Sequence, residues 1–121
     1  MNHEDIVDKL LAMDDSMRHV GLVNDKGYVI MSKMKENKIA IHNQEQKIRI
    51  SHDLNLARQM HAMFDETLGK ASRVHMMREK VHLLIFYQKE GLVYVTCEGY
   101  TDEYEITDIA KKIEATLHES A

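Results

Sequence analysis

The stretch VHLLIFYQKEGLVYVTCEG, Val81 to Gly99, decides how this chain folds. Two apolar runs, VHLLIFY and LVYVTCE, flank QKEG, whose polar residues and terminal glycine suit a chain reversal, so the stretch predicts a β-hairpin. The first run is apolar at odd and even positions alike, and a strand tolerates that pattern only when both of its faces are covered. A sheet with a layer on each side is therefore required, and the remainder of the chain has to supply the layers.

Reading outward from the hairpin, ASRVHMM forms a further strand on its N-terminal side, linked through REK and its flanks. On the C-terminal side, Ile106, Ile109, Ala110, Ile113 and Leu117 follow the i, i+3, i+4, i+7, i+11 spacing of an amphipathic helix. Thr101 or Asp102 is placed to cap it, acidic Glu103 and Glu105 lie at its positive end, and Lys111, Lys112 and His118 lie toward its negative end. Upstream, residues 44–68 contain no glycine or proline and stop at Gly69, which suits a helix C-terminus. Leu56, Met60, Met63 and Phe64, with Leu54, Ala57 and Leu68 beside them, predict one long helix with a single apolar stripe. Ile48 and Ile50 alternate as in a strand, but the absence of a turn residue around them favours helix.

Two elements precede it. MRHVGLVNDKGYVIMS carries apolar runs around NDKG and predicts another hairpin, and NHEDIVDKLLAMDD places Ile6, Val7, Leu10, Leu11 and Met13 at helical spacing behind a capping Asn2. Ile39 and Ile41 alternate in an otherwise charged segment and allow a short strand or edge extension. The order is α-β-β-α-β-β-β-α. It predicts one α+β domain over residues 1–121, a five-stranded antiparallel sheet with helices on both faces.

Composition narrows the function classes. At 121 residues the chain has room for one core. A net charge of −4 and a pI near 6.0 argue against a nucleic-acid partner, whose phosphates are bound chiefly through cationic charge. The basic residues Lys33, Lys35, Lys38, Lys47 and Arg49 are interrupted by Glu36 and Glu45 and read as a solvated face. The single cysteine, Cys97, excludes an intramolecular disulfide, and the first residues lack the cationic and apolar segments of a secretory signal, so a cytoplasmic location is expected. No apolar run approaches the roughly 20 residues of a membrane span, and no membrane insertion is expected. Nine methionines in a chain without proline or tryptophan suit gap filling in a core, and secondarily an adaptable partner surface. There is no GxGxxG or GxxxxGK to cradle a phosphate, and the adjacent carboxylates Asp14 with Asp15 and Asp65 with Glu66 read as surface charges. No cofactor and no enzymatic activity are expected.

The element order resembles the roadblock/dynein light chain family and, more distantly, longin and profilin-like domains. VGLVNDKGYVI is similar to that family's first hairpin, and MRHVGLVNDKGYVI, MFDETLGKASR and MREKVHLLIF, in this order, resemble a group of short archaeal proteins of unknown function. The resemblance implies a non-enzymatic module that dimerises through its middle helix and a sheet edge and acts as a platform for a small GTPase or another signalling partner. For this chain it implies a homodimer interface drawn from Ile48, Leu54, Met60, Met63 and Phe64, with Ile50 adjoining.

Residue chemistry raises one alternative, a small sensor or metal-binding domain. With QKEG as a four-residue loop, Tyr87 pairs with Leu92, Ile85 with Tyr94, and His82 falls opposite Cys97. With Met77 to Lys80 as the preceding loop, His75 falls opposite His82. Strands lie about 4.8 Å apart, so such a row places two imidazoles and a thiol near one soft metal ion. Against it, the chain has no CxxC, HxH, HxxxH or HExxH spacing, and a lone cysteine is most often an inert core residue.

Overall fold

The computed structural model describes residues 2–119. The elements are α1 (His3–Leu11), β1 (Met17–Asn24), β2 (Val29–Met34), α2 (Gln44–Ala62), α3 (Asp65–Leu68), β3 (Arg73–Met77), β4 (Val81–Gln88), β5 (Gly91–Glu98) and α4 (Glu103–Glu119). The five strands form one antiparallel sheet in the order β2-β1-β5-β4-β3. This is the expected α+β architecture, and the hairpin read from Val81–Gly99 lies inside the sheet, with β5 at its centre and β4 beside it.

Each face of the sheet has its own core. On one face α1 and α4 bury Val7, Leu10, Ile106, Ile109 and Ile113 against Met17, Val20, Leu84, Phe86, Val95 and Cys97. Alternation along the strands sends the other residues to the opposite face, where Val23, Ile85, Leu92 and Tyr94 meet Leu54 of α2. The helix starts form as their sequences direct. Asn2 and Asn43 each accept from the backbone N–H three residues on, with Asp5 and Gln46 returning the bond, and Asp102 accepts from Tyr104 N at 2.8 Å.

Three expectations need correction. The single helix over 44–68 is two: at Met63 and Phe64 the backbone bonds shorten to i→i+3, from Met63 N to Met60 O and from Phe64 N to His61 O, which ends α2 before α3 begins. Ile39 and Ile41 form no strand extension, because β2 ends at Met34 and the next residues turn through Asn37 at φ 68. Both inner hairpins turn more tightly than their loops suggested. Gln88 pairs with Gly91 across Lys89 and Glu90, which keeps the expected register of Tyr87 with Leu92 and His82 with Cys97. Met77 pairs with His82 rather than lying in the loop, so His75 falls opposite Leu84. That displacement is an even number of positions, so His75 stays on the same sheet face as His82.

Candidate functional site

Helix α2 has two unlike sides. Leu54 is 8% exposed and lies with Ser51 and Asn55 against the sheet. Residues two apart on a helix point in nearly opposite directions, so Leu56 is turned outward and is 57% exposed. Ile48, Leu56 and Met60 follow at eight- and four-residue steps along that outward side, and Met63 and Phe64 extend it past the helix end, all exposed. Of the interface residues expected from sequence, Ile48, Met60, Met63 and Phe64 therefore lie on the surface and Leu54 does not. Leu56, which sequence reasoning placed in a stripe with Leu54, belongs to the surface set. The helix is held in place by polar contacts at its C-terminal half: Arg58 Nη2 donates to Gln88 O at 2.8 Å, and His61 Nδ1 lies 2.6 Å from Tyr87 Oη.

Beside this surface lies the edge of the sheet. A shallow groove lined by His61, Phe64, Leu68 and Val74 joins the end of α2 to β3. Strand β3 pairs only with β4 among the described residues. Its bonding phase is fixed by Tyr87 N donating to Ser72 O and Arg78 N donating to Val81 O, both at 3.0 Å. Ladder bonds alternate along an antiparallel strand, so the backbone groups of Arg73, His75 and Met77 face away from β4 and remain open for pairing.

The three residues of the alternative metal row are found in two different settings. His75 Nε2 and His82 Nδ1 are 2.9 Å apart, and His82 Nε2 donates to Thr101 O at 2.9 Å. Cys97 is fully buried, its Sγ 3.5 Å from Met17 Sδ, and burial, followed by the charge of Asp14, pushes its thiol up to about 12. A thiol in that state is neither a nucleophile nor a ready ligand at neutral pH. Among the described residues no group of three His, Cys, Asp or Glu side chains is arranged to hold a metal ion.

Further buried polar chemistry is structural. His19 packs its ring on Tyr94 with centroids 5.3 Å apart, and burial, reinforced by Lys47 and His42, lowers its pKa to about 4. Glu98 accepts from Arg18 and lies 3.3 Å from Lys38, while Arg18 Nη2 also donates to Ile39 O, so one carboxylate ties the segment after β2 to β1 and β5. Burial raises the Glu98 pKa, but these two cations outweigh it and hold the carboxyl below its ordinary value.

Solved structures with this architecture decide the fold. Gliding protein MglB from Thermus thermophilus superposes with a TM-score of 0.75 at 11% identity, covering 94% of this chain and 84% of that one. A roadblock/LC7 domain from Streptomyces avermitilis superposes at 0.65 and 10% identity, covering 98% and 99%. The chain has a roadblock-like fold. The wider profilin-like class is represented by a Schizosaccharomyces pombe profilin, at a TM-score of 0.66 and 12% identity over 99% of both chains. No family model matches the chain, and no curated protein matches it in sequence. In this fold the middle helix of the expected interface is α2, the two sheet edges are β2 and β3, and no helix among the described residues is long and apolar enough to cross a membrane.

Proposed function

We propose that the chain is a non-enzymatic cytoplasmic module that homodimerises through the outward side of α2 and the β3 edge, and that the dimer holds a small GTPase or another regulatory protein. The observation that carries the reading is a pair of unfilled surfaces, the exposed apolar Ile48, Leu56, Met60, Met63 and Phe64 along and just past α2, and the open backbone groups of Arg73, His75 and Met77 on β3, which the groove between Phe64 and Val74 joins at the end of α2. A second copy satisfies both at once, because an antiparallel copy of β3 supplies the missing ladder while a second α2 covers the apolar side chains. The partner class follows from the resemblance to roadblock domains. The buried, protonated Cys97 favours a scaffold over a catalytic role for the only thiol.

Light scattering across a concentration series tests the dimer. The expected mass is twice the 14.1 kDa of the chain, falling to that of one chain in a Leu56→Glu/Met60→Glu variant whose far-ultraviolet circular dichroism is unchanged. A wild-type protein that remains one chain at about 100 μM, well above the concentrations at which stable dimers form, overturns the reading. The partner class is tested by titrating the dimer with small GTPases in their GDP and GTP states; saturable binding to neither nucleotide state removes that class.

A further inference from the structure

His75 is the middle residue of β3 and the middle one of its three outward-facing residues. When β3 pairs with its own copy in antiparallel fashion, only full overlap satisfies all three: Arg73 pairs with the partner's Met77, Met77 with the partner's Arg73, and His75 with the partner's His75. Slipping the register by one bonded pair leaves an outward-facing residue of each strand unpaired. In the fully overlapped arrangement the two His75 residues sit opposite one another with Cα atoms about 5.5 Å apart and side chains on the same face.

The hydrogen bonds of His75 determine where a proton goes. The Thr101 carbonyl can only accept, so neutral His82 carries its proton on Nε2 and presents Nδ1 as an acceptor; His75 Nε2–H donates to it. The one ring nitrogen of the pair left to take up a proton is His75 Nδ1. Protonation there keeps both existing bonds and places a full positive charge on the edge strand.

We propose that protonation of His75 controls pairing of the β3 edge with a second copy, so that the homodimer separates as pH falls. The inference rests on the homodimer reading. The groups acting on His75 are His82 from β4, Glu103 at the start of α4 and Arg73 on its own strand, the last 3.1 Å from Glu114 of α4. In the single chain, burial and the neighbouring His82 already hold the His75 pKa below its ordinary value, with Arg73 acting in the same direction and Glu103 opposing. Pairing removes more water and brings a second imidazole alongside, which lowers that pKa further. Protons then favour the separated chains: dimer affinity is full above the His75 pKa of the single chain and is lost as pH falls through it.

Sedimentation velocity from pH 7.5 to 5.5 on wild type and His75→Gln decides the matter, with circular dichroism at each pH to exclude unfolding. The expected result is a dissociation constant that rises about tenfold or more in wild type and less than about twofold in the variant. A dimer whose pH response is the same in both proteins, or absent in both, overturns the inference and leaves the homodimer standing. Single chains at pH 7.5 in both overturn the homodimer and this inference with it. Should His75→Gln fail to fold, NMR titration of the wild-type His75 ring gives the same decision: proton uptake that tracks dissociation supports control by His75, and uptake within an intact dimer overturns it.

Discussion

Gly21 of β1 and Tyr94 of β5 face each other across the sheet, and the tyrosine ring occupies the space where any side chain at position 21 would begin. The same ring also packs on the ring of His19, two residues before Gly21 on β1. What approaches Gly21 closely is an aromatic ring from the neighbouring strand. The glycine is a packing requirement on the α2 face rather than a backbone one, since its φ is not positive.

Gly21→Ala is therefore expected to destabilise the fold by about 2 kcal/mol or more through overpacking, although alanine is the better strand residue. In a Tyr94→Ala background the same substitution should cost less than about 0.5 kcal/mol, because the atoms it strikes are gone. Denaturant melts of the four proteins in this cycle measure the coupling, and additive costs would show that the ring does not hold the site.

Leu54 and Leu56 provide the sharpest test of which way α2 faces. Leu54→Ala should cost about 2–4 kcal/mol, as expected for a leucine emptied from a core. Leu56→Ala should change the stability of the single chain by less than about 0.5 kcal/mol, because its side chain already meets solvent. Urea unfolding at a concentration low enough to keep chains apart separates the two.

Cys97 should be inert in the native state. With the sulfur buried beside Met17 and its pKa pushed up to about 12, a thiol reagent at pH 8 is expected to label it only at the rate of unfolding, with full reactivity in denaturant. Rapid stoichiometric labelling of folded protein would contradict the burial.

His19 sets part of the acid limit of the fold. Its folded pKa of about 4 lies below the unfolded value of 6.5, so its contribution is complete above pH 6.5 and is lost as pH falls toward 4, where the folded state begins to take up the proton as well. The loss amounts to at most about 3 kcal/mol. His19→Phe keeps a ring against Tyr94 and should flatten the decline of stability between pH 6.5 and 4, as read from thermal melts. An unchanged slope would assign the acid sensitivity to other groups.

How much was legible in the sequence can be traced through single residues. Ile106, Ile109, Ile113 and Leu117 announced α4 by spacing alone, and the apolar residues at odd and even positions alike in Val81–Tyr87 required a strand covered on both faces, because periodicity is a local consequence of helix and strand geometry. The pairing of His82 with Cys97 followed from loop length and holds. The direction of α2 was not legible. Leu54 and Leu56 are the same residue two positions apart, and nothing local says which one meets the sheet. That choice is made by Val23, Ile85, Leu92 and Tyr94, which present one apolar face to the helix from strands distant in the chain.

By itself, then, the sequence determined the identity and order of nearly every element, since each depends on contacts within a few residues. Only the tertiary structure decided that β1 pairs with β5, which puts β5 at the centre and leaves β3 at an edge with Arg73, His75 and Met77 facing outward. Strand order is a compromise among segments up to 80 residues apart, as Met17 with Cys97 shows, and is settled by how two cores close on opposite faces at once. The position of β3 at an open edge follows from that nonlocal choice, whereas the contact of His75 with His82 comes from the local β3–β4 hairpin.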